Sequence, residues 1–460
     1  MRIATNMAAL SACNQLRRND NSVAKSLERL SSGYKINSAG DDPVGSAISK
    51  KMKMQIRGLE RANQNASDGI SVVETAEGAL QEITSMLQRI RELAVQGATD
   101  TSTDDDRTAI MNEISQIEEE IDRIADDTEF NTRSLLNGDL ARNTYTNRNE
   151  VSISYLSTGV EPKVYNMSVT PGVKSRLITE PAVSTFTESG TLSINGKQIH
   201  INAGDTFEDV YNTMVSIGDY LDLDVSRTGT SMELTSVYAG SKYDIKVEVS
   251  SEALANQLGI NGAQQTIGRD AIVSADEYNV GGSGFAQGAI FTSEGNEVTI
   301  KATGAFEMRI KIDESLTGSN LRVQAYVLNT GTMSIQLGAN EAQEMEIELP
   351  EVTSKTLGID RINAYTSRGC SDAITYCDRA IGFVNEVRSR IGAYETRLEG
   401  AISSLDVTTE NLTAALSRIE DVDMAEEMTA YTSSNVLSQA ATSMLSQANQ
   451  QPEKVLQLLQ

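Results

Sequence analysis

The chain has one histidine, His200, and three cysteines, Cys13, Cys370 and Cys377, so the chemistry open to it is narrow. A zinc-protease helix needs two histidines, which excludes that site. A Ser–His–Asp triad could still use His200, but the residue alternates within a predicted strand, and a strand position is the plainer reading. Three cysteines are too few, and an odd number, for a secreted disulfide framework. Cys370 and Cys377 share a helix face about 10 Å apart along the axis, so they cannot bond each other and read as small buried hydrophobes. The run Asp104–Asp106 lacks the spaced ligands of a calcium loop and reads as charge at a helix start. Gly281-Gly-Ser-Gly284 has neither the strand–helix context nor the Lys of a phosphate cradle. No catalytic, cofactor or metal residue is assigned.

Composition points the same way. The 460 residues allow two to four domains, with 5% aromatic residues and no Trp. No aromatic falls between Tyr34 and Phe130, which suits thin helices packed along their lengths better than a compact enzyme core. A net charge of −25 leaves no basic footprint for nucleic acid and disfavours anionic membranes. No segment approaches a membrane span, and Met1–Leu10 lacks the continuous apolar stretch of a cleavable secretory signal.

The elements that must carry function lie at the two ends. Apolar residues fall at Ile3, Met7 and Leu10, then Leu16, Val23, Leu27, Leu30 and Tyr34. Leu16, Val23 and Leu30 repeat every seven with Leu27 and Tyr34 as the partner row, a coiled-coil seam whose phase shifts after Leu10. Asp42-Pro43 supplies an N-cap and first residue for a helix over 43–98, on the order of 80 Å long. Gly58, Gly69 and Gly78 weaken that helix without ending it. Thr103 and Asp106 form a capping box for a third helix to about residue 128. From about 145 to 350 the period is two, with strands at 151–155, 297–300, 308–312 and 345–349. Asn195-Gly196 marks a hairpin, followed by a short helix near 206–217 and strands near 221–225, 232–236 and 243–249. Helices return over 361–405, with a stripe of Ile374, Ile381, Val384, Val387, Ile391 and Leu398. The last covers 408–450, through Leu412, Leu416, Ile419, Met428, Tyr431, Leu437 and Met444. Pro452 interrupts it before Val455, Leu456, Leu458 and Leu459.

The expected fold is therefore mainly α at both termini, with long antiparallel helices and a terminal coiled coil, around a central β-rich α+β insert in an elongated multidomain chain. The expected division is 1–42 with 408–460 as coiled-coil core, 43–145 with 331–407 as long-helix scaffold, and 146–330 as surface insert. Residues 1–45 carry six Lys/Arg and four Asp/Glu, and 421–460 one and five, so the arms, at +2 and −4, favour pairing in a salt-dependent way.

Those terminal blocks resemble bacterial flagellin. The likeness rests on Ile3–Leu10, Ser26-Leu-Glu-Arg-Leu-Ser-Ser-Gly-Tyr-Lys-Ile-Asn37, Ala39-Gly-Asp-Asp-Pro43, Gln88-Arg-Ile-Arg-Glu-Leu-Ala-Val-Gln96 and Glu129-Phe-Asn131. At the other end it rests on Glu410-Asn-Leu-Thr-Ala-Ala415, Arg418–Ala425, Asn435-Val-Leu-Ser-Gln-Ala440, Gln447–Pro452 and Val455–Leu459. Residues 190–260 resemble a small β-rich insert of flagellins and hook-associated proteins, through Asn195-Gly-Lys197, Ala203-Gly-Asp-Thr206 and Leu258-Gly-Ile260. Segments 333–340 and 356–359 resemble a stretch that normally precedes such an insert, so here the insert is expected to leave the scaffold at a different loop.

The resemblance implies a filament subunit, exported by the flagellar type III route to an extracellular flagellum. It implies arms that order as they associate, burying Ile3, Met7, Leu10, Leu16, Val23, Leu27, Leu30, Met428, Leu437, Met444, Val455, Leu456, Leu458 and Leu459. Implied partners are further copies of the chain, the export machinery and a chaperone, cap and hook-associated proteins, and the toll-like flagellin receptor of a host. The family's receptor-contact Arg, Leu and Glu correspond to Arg89, Leu93 and Glu113. Two alternatives stay open: a hook-associated junction protein of the same superfamily, or an enzyme displayed by residues 145–330.

Overall fold

A computed structural model describes residues 6–458 except 158, 182, 230, 261–263, 277–281, 287 and 305, with the side chains of 219 and 451–458 also set aside. Its helices are α1 (Met7–Ser32), α2 (Pro43–Ala98), α3 (Asp104–Asp127), α4 (Phe207–Gly218), α5 (Glu252–Leu258), α6 (Ser354–Leu357), α7 (Ser367–Glu420) and α8 (Met424–Leu458). Helical ends and a β-rich centre are as the residue pattern requires. The described chain forms two compact units: 1–70, 335–345 and 396–460 in the first, 71–334 and 346–395 in the second.

Local signals explain the helix limits. Asp42 Oδ1 accepts from the backbone N–H groups of Val44 (3.1 Å) and Gly45 (3.0 Å), opening α2. The Thr103–Asp106 capping box opens α3, and Gly33 closes α1 at φ 76°.

Within the first unit, α1 and α8 pair antiparallel: Asn6 Nδ2 donates to the Ala448 carbonyl at 2.9 Å, and Arg29 lies 3.5 Å from Glu427. Gly58 and Gly69 sit beneath the 335–345 segment, where a Cβ would stand 2.8 Å from Ala339 and 2.4 Å from Ile335. Those glycines are what allow the segment to lie on the helix.

Three expectations about the C-terminal helices are corrected. No helix ends at 405–408; α7 runs on to Glu420 because Leu405–Thr409 contains no Gly or Pro, and Thr408 bonds back to the Ser404 carbonyl at 2.7 Å. The break falls at Asp421–Asp423, which meets the end of α1: Lys35 N–H donates to the Glu420 carbonyl at 2.6 Å, and Val422 N–H to the Gly33 carbonyl at 3.0 Å. Asp423 then caps α8, accepting from Ala425 N–H at 2.9 Å. The helix also continues through Pro452; a proline removes one backbone bond and crowds the preceding turn, yet its fixed φ is itself helical. Finally, the first C-terminal helix begins at Ser367 and not near 361, because residues 359–366 are used in turns.

In the second unit, helical residues on α2, α3 and α7 bury a core that includes Leu80, Ile83, Leu87, Ile90, Ile114, Ile121, Val384 and Ile391. Cys370 and Cys377 are buried free thiols, as expected. Cys370 packs against Gly97, where a Cβ would stand 2.5 Å from its Sγ.

The β region has two cores. One lies between four-stranded sheets built around Val164–Thr170 with Leu321–Val327, and around Glu297–Ala302 with Phe306–Ile312. The other, spanning Leu177 to Ile260, combines a three-stranded and a four-stranded sheet with α4 and α5. Asn195 and Gly196, both at positive φ (48° and 88°), turn the hairpin Gly190–Ile194/Lys197–Ile201. This second module leaves the first after Val164–Thr170 and returns through Ile272–Ala275, which pairs with the strand it left. The insert-like segment is thus carried on a β module.

Candidate assembly surface and candidate receptor patch

Along α1 a row of buried and half-buried positions runs through Ala9, Ala12, Leu16, Asn19, Val23, Ser26 and Leu30 in alternating steps of three and four, with Cys13 and Arg29 half-buried at its edge. On α8 the matching half-buried row runs through Glu427, Tyr431, Ser434, Ser438, Ala441, Leu445 and Ala448 with the same alternation, and Asn435 is half-buried beside it. This is a heptad seam, but nine of these fourteen residues are small or polar, and its two buried members are Asn19 and Ser26. Ser438 Oγ donates to Asp20 Oδ1 at 2.7 Å beside it. Small residues let two helix backbones approach where bulky ones would hold them apart.

The expected partner row of Leu27 and Tyr34 is therefore corrected. Asn19 and Ser26 occupy it, and both Leu27 and Tyr34 are exposed. Of the candidate assembly residues, Leu16, Val23 and Leu30 line the seam. Met7 (67% exposed), Leu10, Met428, Leu437 and Met444 (65%) join Leu27 outside it, with Val436 and Met424. The residue pattern alone did not single out Val436 and Met424. Val455, Leu456 and Leu458 belong to the final turns of α8, and Ile3 and Leu459 lie outside the described residues.

The second patch lies on α2 and α3. Arg89 Nη2 and Nε donate to Glu113 Oε1 at 2.7 and 3.0 Å, and Nη1 to Glu92 Oε2 at 3.5 Å. The Glu113 bond raises the Arg89 pKa above its ordinary value, with Glu113's charge adding to it and Glu92 contributing less. Arg89 and Glu113 are brought together on the surface as one ion pair, whereas Leu93 is only 3% exposed. A four-residue step rotates by 400°, so Leu93 sits about 40° round the helix from Arg89, enough to cross from the solvent face to the core. Glu92 joins the patch instead.

These arrangements define a structural subunit: a β-carrying helical scaffold whose paired arms present apolar side chains outward. Residues 3–141 match the bacterial flagellin N-terminal helical region, and residues 374–459 the C-terminal helical region. A flagellin of Clostridium tyrobutyricum is 34% identical across 98% of this chain and 100% of its own length. Flagellin D of Vibrio anguillarum is 32% identical across 99% of both. The chain belongs to the flagellin family, whose role is structural and not enzymatic, in the extracellular flagellar filament. Among solved structures it is similar to FliC of Burkholderia pseudomallei (15% identity, TM-score 0.24, 72% of this chain and 99% of that one). It is also similar to the hook-associated protein-3 of Legionella pneumophila (13%, 0.32, 80% and 98%). The family assignment rests on the sequence relatives.

Proposed function

We propose that this chain is exported by the flagellar type III route and polymerises into the filament through its paired arms. Residues 1–42 and 408–460 form the assembly core in this reading, 43–145 and 331–407 the supporting scaffold, and 146–330 the solvent-facing insert. One observation carries it: the α1/α8 seam is lined mostly by small and polar residues, with Leu16, Val23 and Leu30 among them, while Met7, Leu10, Leu27, Met428, Leu437 and Met444 remain outside. A buried large apolar side chain contributes about 1.5–3 kcal/mol, so neighbouring subunits that cover these residues gain what the isolated arms do not. A chaperone during export, and cap and hook-associated proteins at the filament ends, are the other partners that such a subunit requires. The Arg89–Glu113 pair, with Glu92 beside it, forms the surface read by the toll-like receptor, over Leu93 as its packed support.

Seeded assembly followed by electron microscopy tests the main claim. Long filaments are the expected result. Failure under every salt and seed condition would favour the junction-protein role instead.

A further inference from the structure

Two stretches of opposite charge lie exposed on the first unit, one on α2 and one on α7. Between Lys50 and Arg61, α2 carries five cations (Lys50, Lys51, Lys53, Arg57 and Arg61) and one acid, Glu60, in a chain whose net charge is −25. Lys53 turns to Glu420 as an ion pair. Lys50, Arg57 and Arg61 are exposed and make no ion pair among the described residues. At about 100° per residue these three fall, with Met54, within about 60° around the helix. Met54 is 67% exposed among them. On α7, Glu399, Asp406 and Glu410 share one exposed stripe, and no Lys or Arg lies between Glu399 and Glu410. An open groove lined by Asp406, Thr409, Glu410, Thr413, Ala414 and Ser417 continues it.

Within the chain the two stripes make no ion pair with each other, although α2 and α7 run antiparallel side by side, Lys53 with Glu420 and Asn63 with Asp406. We propose that the basic stripe of α2 docks on the acidic stripe of α7 in a second copy of the chain. This contact rests on the filament reading above and adds a scaffold interface to the one made by the arms. Complementary charge and equal length carry it. Lys50 to Arg61 and Glu399 to Glu410 each span about 16 Å along their helices. Subunits stacked head to tail along their helices point the same way, so α2 of one copy runs antiparallel to α7 of the next. In that direction Lys50 meets Glu410, Arg61 meets Glu399 and Arg57 reaches Asp406. Met54 comes level with Asp406, at one end of the groove. Exposed ion pairs are individually weak; as a row beside a covered methionine they govern association rate and register.

Seeded elongation of the full chain, followed by light scattering across a range of salt, tests the contact. Wild type should elongate, and more slowly as salt rises. Lys50→Glu with Arg61→Glu should cut the elongation rate about tenfold. Adding Glu399→Lys and Glu410→Lys to that variant should restore it. An unchanged rate in the first variant, or no recovery in the second, overturns the contact while wild-type filaments leave the filament reading standing. A wild-type chain that never elongates sinks that reading and the contact with it. Should the basic-side variant fail to fold, Glu399→Lys with Glu410→Lys decides alone: a tenfold loss supports the contact and an unchanged rate overturns it.

Discussion

The arm pair and the scaffold bundle are both built from amphipathic helices, yet they spend their apolar residues in opposite directions. In the scaffold, α2, α3 and α7 turn Leu80, Leu87, Ile90, Leu93 and Ile114 inward and leave Arg89, Glu92 and Arg91 outside. In the arms, Ala9, Ala12, Ser26, Ser434 and Ala441 line the seam while Met7, Leu10, Leu437 and Met444 face out. A helix set that buries its large side chains internally holds together alone. One that keeps them outside is stable chiefly when something else covers them. The difference separates the part that must be rigid in every subunit from the part that must remain sticky until assembly.

The comparison can be broken at several points. Deleting residues 451–460 should abolish seeded polymerisation while leaving the circular dichroism and melting of the β modules unchanged; normal filaments would remove the arms from the assembly account. Leu93→Ala should destabilise the scaffold by about 2–5 kcal/mol in denaturant melts, whereas Met444→Ala should shift the monomer by no more than about 0.5 kcal/mol and instead slow filament growth. If both variants behaved alike, the contrast between inward and outward apolar faces would be wrong. Gly97→Ala, which places a methyl against Cys370, should cost about 1–3 kcal/mol. Pairing it with Cys370→Ala should recover part of that loss in a double-mutant cycle. The smallest effect concerns the surface patch: Arg89→Ala should leave stability nearly unchanged and weaken receptor binding about tenfold if it is a hot spot. Unchanged affinity by surface plasmon resonance would assign the Arg89–Glu113 pair to packing between helices.

Much of the scaffold was legible from residue types. Asp42-Pro43, Thr103 with Asp106, and Asn195-Gly196 act within three or four residues of themselves, so their caps and turn could be read locally. The strand Leu321–Val327 was missed although Val323, Ala325 and Val327 alternate, and so was Val164–Thr170, whose run Tyr165–Met167 is buried on both faces and shows no period. The heptad over α1 was visible, but its inner row was not. A search for apolar residues picks Leu27, and only the closeness of α8 reveals that Ser26 fills that row.

What the sequence by itself determined is the set of short-range choices: where helices start, which segments alternate, which thiols are buried, and which family the ends belong to. Tertiary structure alone decided which stripe of each arm meets the other, that the α7–α8 break falls where α1 ends, and that Leu93 turns inward while Arg89 meets Glu113. The physical reason is the same in each case. A side chain's periodicity gives its direction relative to its own helix, while its burial and charge environment depend on which distant segment arrives opposite it.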